Sequence, residues 1–268
     1  MNKKGQKICE KVTSMPKIWW KDNPVMTYFF NSLSVLLPVG EAFFIKSVKY
    51  YEKKVSQVSL LQDVRLFLNQ EAQHHKEHGA WNDMIKAQGH NVEAVGRSFN
   101  LFIKYGQKYL TPIQLLAFTV ASEHVTAVLA RVVLSNPKWL DGASQEYRRI
   151  WLWHAFEELE HKAVAFDLYQ HVGGSYFLRV FSFLQTSLVF PLFIFEMMMK
   201  FSLKDKVLFK LRTWRQVFDF GLLVGKDFFK IMFYFGEFLL PSFHPKNHND
   251  EGLIHIYGPL LKKFCRPT

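Results

Sequence analysis

The 268 residues suffice for one sizeable core or, the favoured reading, for a domain of about 150 to 200 residues with an appendage. With 49% apolar residues and 27 Phe, the composition points to a greasy ligand cavity or to contact with a membrane. The net charge of +11 sits at the ends, six Lys/Arg against two acids in residues 1–22 and twelve against six in 200–268, while 23–199 holds sixteen against fifteen; this disfavours a nucleic-acid groove and fits ends drawn to anionic lipid.

The basic segment 1–22 contains no continuous apolar run and no small-residue cleavage pattern, so no secretory signal is expected. Cys9 and Cys265, the only cysteines, support neither a disulfide framework nor a thiolate metal site and fit a reducing cytoplasm. Beyond residue 22, apolar residues recur at three- and four-residue intervals, the period of amphipathic helices, and the class is all-α.

A first helix is expected over about Val25–Lys54, kinked at Pro38, which lacks a donor and clashes one turn back. A second begins at Ser59, whose hydroxyl caps it while Gln62 reaches back, and ends at Gly89. A connector over Val92–Tyr109 leads to Thr111-Pro112, an N-cap and first-turn proline for a third helix that Asn136-Pro137 stops. A fourth helix runs from about Ser144 to His171 and is closed by Gly173-Gly174. Together they make residues 23–175 a four-helix bundle.

Residues 176–268 form a C-terminal extension of apolar and basic helical character. Between Arg179 and Glu196 lie 16 uncharged residues interrupted by Pro191, whereas a spanning helix needs about 20. A helix lying in the membrane interface or capping the bundle is therefore favoured over a true span within 180–199. Peripheral membrane contact through 176–241 is the partner expectation, on the cytoplasmic side of the membrane, with no nucleic acid.

The chemistry is carried by an ordered set of acids and histidines. Residues three apart share a helix face, so Glu71 with His74, and Glu158 with His161, can each address one metal. One such pair is weak. The order is not: a lone Glu41 on the first helix, Glu71-x-x-His74 on the second, a lone Glu123 on the third and Glu158-x-x-His161 on the fourth make the pattern of a dinuclear bundle. Four carboxylates balance two divalent cations, and one imidazole per metal leaves positions open for oxygen or substrate. Glu123 sits in an almost wholly apolar helix, where an uncompensated carboxylate costs several kcal/mol. The nearest cation in its own helix, Arg131, is over two turns away.

The motifs PVGEAFF, FLNQEAQHHKEH, ASEHVTA and WHAFEELEHKAVAFDLY resemble the predicted metal-dependent hydrolases of the ferritin-like superfamily, over roughly residues 10–240. Relatives with this ligand order are mainly di-iron oxidases and oxygenases. His154, one turn before Glu158, extends the resemblance to the arylamine N-oxygenase branch, where a third histidine from that helix joins the cluster. The resemblance thus implies His154 as a seventh ligand, with a supporting or pocket histidine as the alternative. His78, one turn beyond His74, is read as a supporting residue, His75 and His124 as facing neighbouring helices or water, and Glu157 and Glu160 as solvated or supporting acids. Asp167 is a candidate to orient a ligating histidine on another helix.

The expected function is a di-metal carboxylate enzyme with two ions, iron first and manganese second, carrying out O2-dependent oxidation of a small lipophilic or aromatic substrate with an electron donor that the sequence leaves unnamed. A metal-dependent hydrolase and a non-catalytic metal-binding or membrane-associated scaffold are the alternatives. Phe43, Phe44, Phe67, Trp81 and Phe156 either shield such a site or simply fill the core.

Overall fold

The computed structural model describes residues 14–264; Cys9, Cys265 and most of the basic segment 1–22 lie outside them. In chain order the helices are α1 (Pro24–Glu52), α2 (Val58–Ala87), α3 (Val92–Val95), α4 (Arg97–Tyr109), α5 (Pro112–Ser135), α6 (Gln145–His161), α7 (Val164–His171), α8 (Tyr176–Lys204), α9 (Leu211–Phe238) and α10 (Glu251–Phe264). Among the described residues there is no strand, only one isolated bridge between Trp20 and Ala143, and the protein is an all-α helical bundle.

Local chemistry sets most of the ends. Asn23 Oδ1 accepts from the backbone of Val25 and Met26 at the start of α1, and Gln114 Oε1 accepts from both the amide and the hydroxyl of Thr111 at the start of α5. Gly89, just past α2, has φ +87°, the left-handed conformation that glycine adopts freely.

Three expectations are corrected. The cap of α2 is Gln57, and Ser59 lies inside the first turn, where its hydroxyl accepts from Gln57 Nε2 instead of bonding the helix amides. The connector before Thr111 is helical, forming α3 and α4, because Phe99 gives α4 a buried side that docks on the bundle. The fourth helix is interrupted directly after His161. The break coincides with a tertiary contact in which Lys162 donates to the His248 carbonyl (3.0 Å) and pairs with Asp250.

Pro38 lies within α1 without ending it. Its missing amide leaves the Ser34 carbonyl without the usual partner four residues on, and Asn82 of α2 fills the gap, donating Nδ2 to Ser34 O at 2.9 Å. The Ser34 hydroxyl in turn donates to Asn82 Oδ1 at 3.1 Å. The proline thus supplies a polar lock between α1 and α2 at the level of the candidate ligands.

The short turn after α1 makes α2 its antiparallel neighbour. Ser47 near the end of α1 meets Thr119 near the start of α5, while Phe29 at the start of α1 meets Trp139 just past the end of α5, so these two are also antiparallel. α2 and α5 therefore run parallel, joined by the crossover through α3 and α4. α6 runs antiparallel to α2, with Phe67 against His161 at one end and His78 against Trp151 at the other.

α8 packs along α1 and α5, and α9 also touches both, so residues beyond 175 complete the core. Phe183, Phe201 and Phe238 are fully buried there. By length and composition α1, α5 and α8 could each cross a membrane, but the apolar windows of α1 and α5 are 67% and 61% buried inside the bundle, against 22% for α8.

Candidate metal centre

The four long helices of the bundle bring all seven predicted ligands to one buried place. Glu41 comes from α1, Glu71 and His74 from α2, Glu123 from α5, and His154, Glu158 and His161 from α6, and each is at most 6% exposed. Glu71, His74, Glu158 and His161 each offer a ligand atom within 4.8 Å of the others, as do Glu41, His74 and His154. Glu123 Oε2 lies 3.8 Å from His161 Nε2.

The distances order the site. Glu158 Oε1 lies 3.1 Å from His154 Nε2 and 3.6 Å from both His74 Nδ1 and His161 Nε2. Glu71 Oε1 lies 3.6 Å from His74 and 3.4 Å from His161. Glu71 and Glu158 are thus central, with Glu41 and His154 towards one end and Glu123 towards the other.

Most of these polar atoms have no hydrogen-bond partner. Both oxygens of Glu41, Glu71 and Glu123, Glu158 Oε2, His74 Nδ1 and both nitrogens of His161 are buried and unpaired. Buried polar groups are almost always satisfied, and carboxylates most of all. A cluster of orphaned oxygens and imidazole nitrogens converging on one volume is what a pair of cations would satisfy, and its four acids match two divalent charges.

The electrostatics agree. Burial, reinforced by Glu71, pushes the carboxyls of Glu41 and Glu123 well above the usual range. Burial also acts to raise Glu158, but the hydrogen-bonded His154 and the nearby imidazole of His161 overcome it and hold that carboxyl well below. Burial tends to lower His74, yet Glu157 and Glu71 lift it well above an ordinary imidazole. His78 and His154 are lowered, chiefly by burial and then by neighbouring histidines.

The supporting groups are now identifiable. Glu157 Oε2 lies 3.1 Å from His74 Nε2, and Trp153 Nε1 donates to Glu157 Oε1 at 2.9 Å. His74 therefore turns Nδ1 to the cluster and Nε2 to a carboxylate, the arrangement that fixes the ring of a metal-binding histidine. Sequence reading placed Glu157 among the solvated or supporting acids, and the i,i+4 spacing of Trp153 and Glu157 was the signal that went unread. His78 Nε2 meets His154 Nδ1 at 3.1 Å, and His78 Nδ1 meets Ser34 Oγ at 3.1 Å. The Pro38 lock thereby extends to His154.

Other singled-out residues lie elsewhere. Asp167 bonds His244 (2.7 Å) and Lys246 (2.9 Å), neither a candidate ligand, because α7 begins after the break and turns this acid to the surface. His75 bonds the Pro38 carbonyl, and His124 donates to the Tyr234 carbonyl on α9, where burial drives it down to about 3. Arg131 is engaged by both Asp250 oxygens at 2.6 Å and so does not compensate Glu123. Phe67 packs on His161, whereas Trp81 meets Trp19 and Trp151 edge-on in the apolar core and Phe156 packs towards Leu261 on α10. Glu160 is exposed.

A family model described as a predicted metal-dependent hydrolase matches residues 7–249, most of the chain. No curated protein and no solved structure matches it.

Proposed function

The chain belongs to the predicted metal-dependent hydrolase family, and from that premise and the buried cluster we propose a dinuclear metal enzyme that oxidises a small lipophilic or aromatic substrate with dioxygen. Two ions, iron first and manganese second, are held among Glu41, Glu71, His74, Glu123, His154, Glu158 and His161. Glu71 and Glu158 stand at the centre of that set, and a bundle with one long crossover and this ligand order supports a ferritin-like build. The observation that carries the reading is the set of unpaired buried oxygens and imidazole nitrogens facing one volume.

Bound there, the ions would supply dioxygen activation, for which a histidine- and carboxylate-rich donor set with open positions is suited. The chain supplies position and dryness. Were His154 to offer Nε2 as a ligand atom, its ring proton would sit on Nδ1 and be donated to His78 Nε2, with the His78 Nδ1 proton donated to Ser34 Oγ and the Ser34 proton to Asn82. Each donor has one acceptor, and the histidine is held in one tautomer and one rotamer. Glu157 does the same for His74.

Hydrolysis is the second reading. It is favoured by the family description and by a polar opening beside His161, lined by Lys162, Asp167 and Asp250, through which water can approach. The purified protein is expected to hold about two ions per chain and, after anaerobic reduction, to give a transient visible absorption when air is admitted. Hydrolysis of activated esters without oxygen would transfer the assignment to the second reading. Neither activity in metal-loaded protein would leave a scaffold.

We further infer that α8 and α9 lie on an anionic membrane surface at its cytoplasmic face. Phe177, Phe181, Leu184, Leu188, Leu192 and Phe195 make an exposed stripe at helical spacing on α8, and Leu211, Trp214, Phe218, Leu222, Phe229 and Phe233 make another on α9. Around the turn that joins them the chain places the exposed Lys204, Lys206, Lys210, Arg212 and Arg215, each worth about 1 kcal/mol near anionic lipid. The protein is expected to co-sediment with vesicles containing phosphatidylserine and to be released by about 0.5 M salt or by the double change Leu188→Glu with Phe229→Glu. Wholly soluble behaviour with such vesicles would refute the inference.

A further inference from the structure

Next to the metal centre lies a cavity of about 380 Å³ bounded by α1, α4, α5 and α8, within the usual span of small-molecule sites, roughly 300 to 1,000 Å³. Its wall carries no charged side chain. Phe43, Phe44, Phe99, Phe118 and Phe193 supply much of it, and the polar groups are only hydroxyls and carboxamides such as Ser122, Thr186 and Gln185. Phe102, Tyr105, Tyr109 and Phe181, all exposed, rim its mouth, and Phe181 belongs to the outer stripe of α8.

The inner end is the informative part. Leu37, Thr126 and Phe190 line this cavity and also line a second, smaller one of about 60 Å³ whose far wall includes His154 and Glu158. Three side chains therefore separate the large cavity from two of the candidate ligands. Leu37 is one turn from Glu41, and Thr126, whose hydroxyl is spent on the Glu123 carbonyl at 3.1 Å, is one turn from Glu123, so both hold fixed positions. Phe190 comes from α8, which carries no candidate ligand, and is only half-buried.

We propose that this cavity binds the uncharged hydrocarbon chain of the substrate and that the passage between Leu37, Thr126 and Phe190 delivers its reacting end to the His154 and Glu158 side of the metal centre. The uncharged wall rejects an ionised group, so any charged head remains outside the rim at the α4 and α8 surface. The substrate class is a long-chain, uncharged-tailed lipophile entering tail first. The delivery step rests on the dinuclear reading; the binding step does not.

The test separates the two. In protein stripped of metal, straight-chain primary alcohols of increasing length should displace Nile red with affinity rising about fourfold per methylene, up to a cut-off length. Gly106→Leu, which places a side chain into the cavity from α4, should shorten the cut-off and weaken the longest alcohol at least tenfold. No dependence on chain length, or an unchanged cut-off in Gly106→Leu together with Phe118→Trp, would overturn the binding site. In protein loaded with Mn2+, the protons at one end of the bound alcohol should relax faster than in metal-free protein, and Leu33→Trp, which fills the smaller cavity and does not line the larger one, should abolish that enhancement while Nile red binding persists. Bound Mn2+ without enhancement in the wild type overturns the passage. Failure to bind Mn2+ at all sinks the dinuclear reading, and the passage with it, but leaves the cavity standing on the alcohol series.

Discussion

Replacing Glu123 with alanine is expected to reduce bound metal from about two ions per chain to one or none, with affinity falling at least a hundredfold, while Glu160→Ala retains the full complement. Loss of even an outer hydrogen-bond partner of a ligand commonly costs 10- to 100-fold, and Glu123 would supply an ion directly. Within its own helix no cation takes its charge. Arg131, the nearest, is held by both oxygens of Asp250, and both Glu123 oxygens are without partners. Metal analysis of the two purified variants, after dialysis against a weak chelator, reads the difference. Equal retention in both would remove Glu123 from the ligand set.

The stability of the same variant supplies a second readout. A carboxylate buried only to meet a cation is a liability once the cation is gone. Glu123→Ala should therefore lose little or no thermal stability when chelator is added, whereas the wild type loses much. A residue buried for packing alone would behave oppositely, destabilising both forms equally.

The convergence of the candidate residues on one buried cluster was legible because two periodicities coincide. Glu71 with His74 and Glu158 with His161 fall on the faces that an amphipathic helix turns inward, and Glu41 and Glu123 stand where an apolar stripe should continue. Helix ends were legible where a side chain caps the chain that carries it, as at Thr111 with Gln114. The start of α2 was misread by two residues, Ser59 lying in the first turn after Gln57, and the end of the fourth helix was misread where a distant residue decides, since it breaks at Lys162, whose partner Asp250 lies 88 residues on. Local pattern does not contain such contacts.

The supporting network was half legible. His78 follows His74 by one turn and so reads as a partner on the same stripe. That its other nitrogen meets the Ser34 hydroxyl, and that Asn82 takes the Ser34 carbonyl left over by the amide missing at Pro38, depends on how α1 and α2 register. The passage at Leu37, Thr126 and Phe190 was not readable, since it joins three helices whose sequences are ordinary apolar helices taken singly.

Removing the metal is expected to lower the melting temperature by on the order of 10 °C at neutral pH, and the deficit should grow as pH rises. A ligand present at about a thousand times its dissociation constant stabilises by about 4 kcal/mol, and a chain of this size shifts by roughly 2 to 4 °C per kcal/mol. The sign of the pH dependence follows from three groups. In metal-free protein Glu41, Glu123 and His74 have raised values, so the folded state binds more protons than the unfolded one. That contribution is complete below the unfolded values and is lost as pH climbs through the folded ones, at up to about 1.4 kcal/mol per pH unit for each group. His78, His124 and His154, whose values are lowered, are neutral in both states above about pH 7.5 and stop contributing slope there. Over the pH interval in which those folded values are passed, the metal-free protein should therefore lose stability as pH rises, while the loaded protein, whose ligands the ions would keep deprotonated, stays nearly flat. Loading should also release protons into a weakly buffered solution. Parallel denaturation curves for the two forms across that interval, with no proton release, would show that these carboxyls do not meet a cation at all.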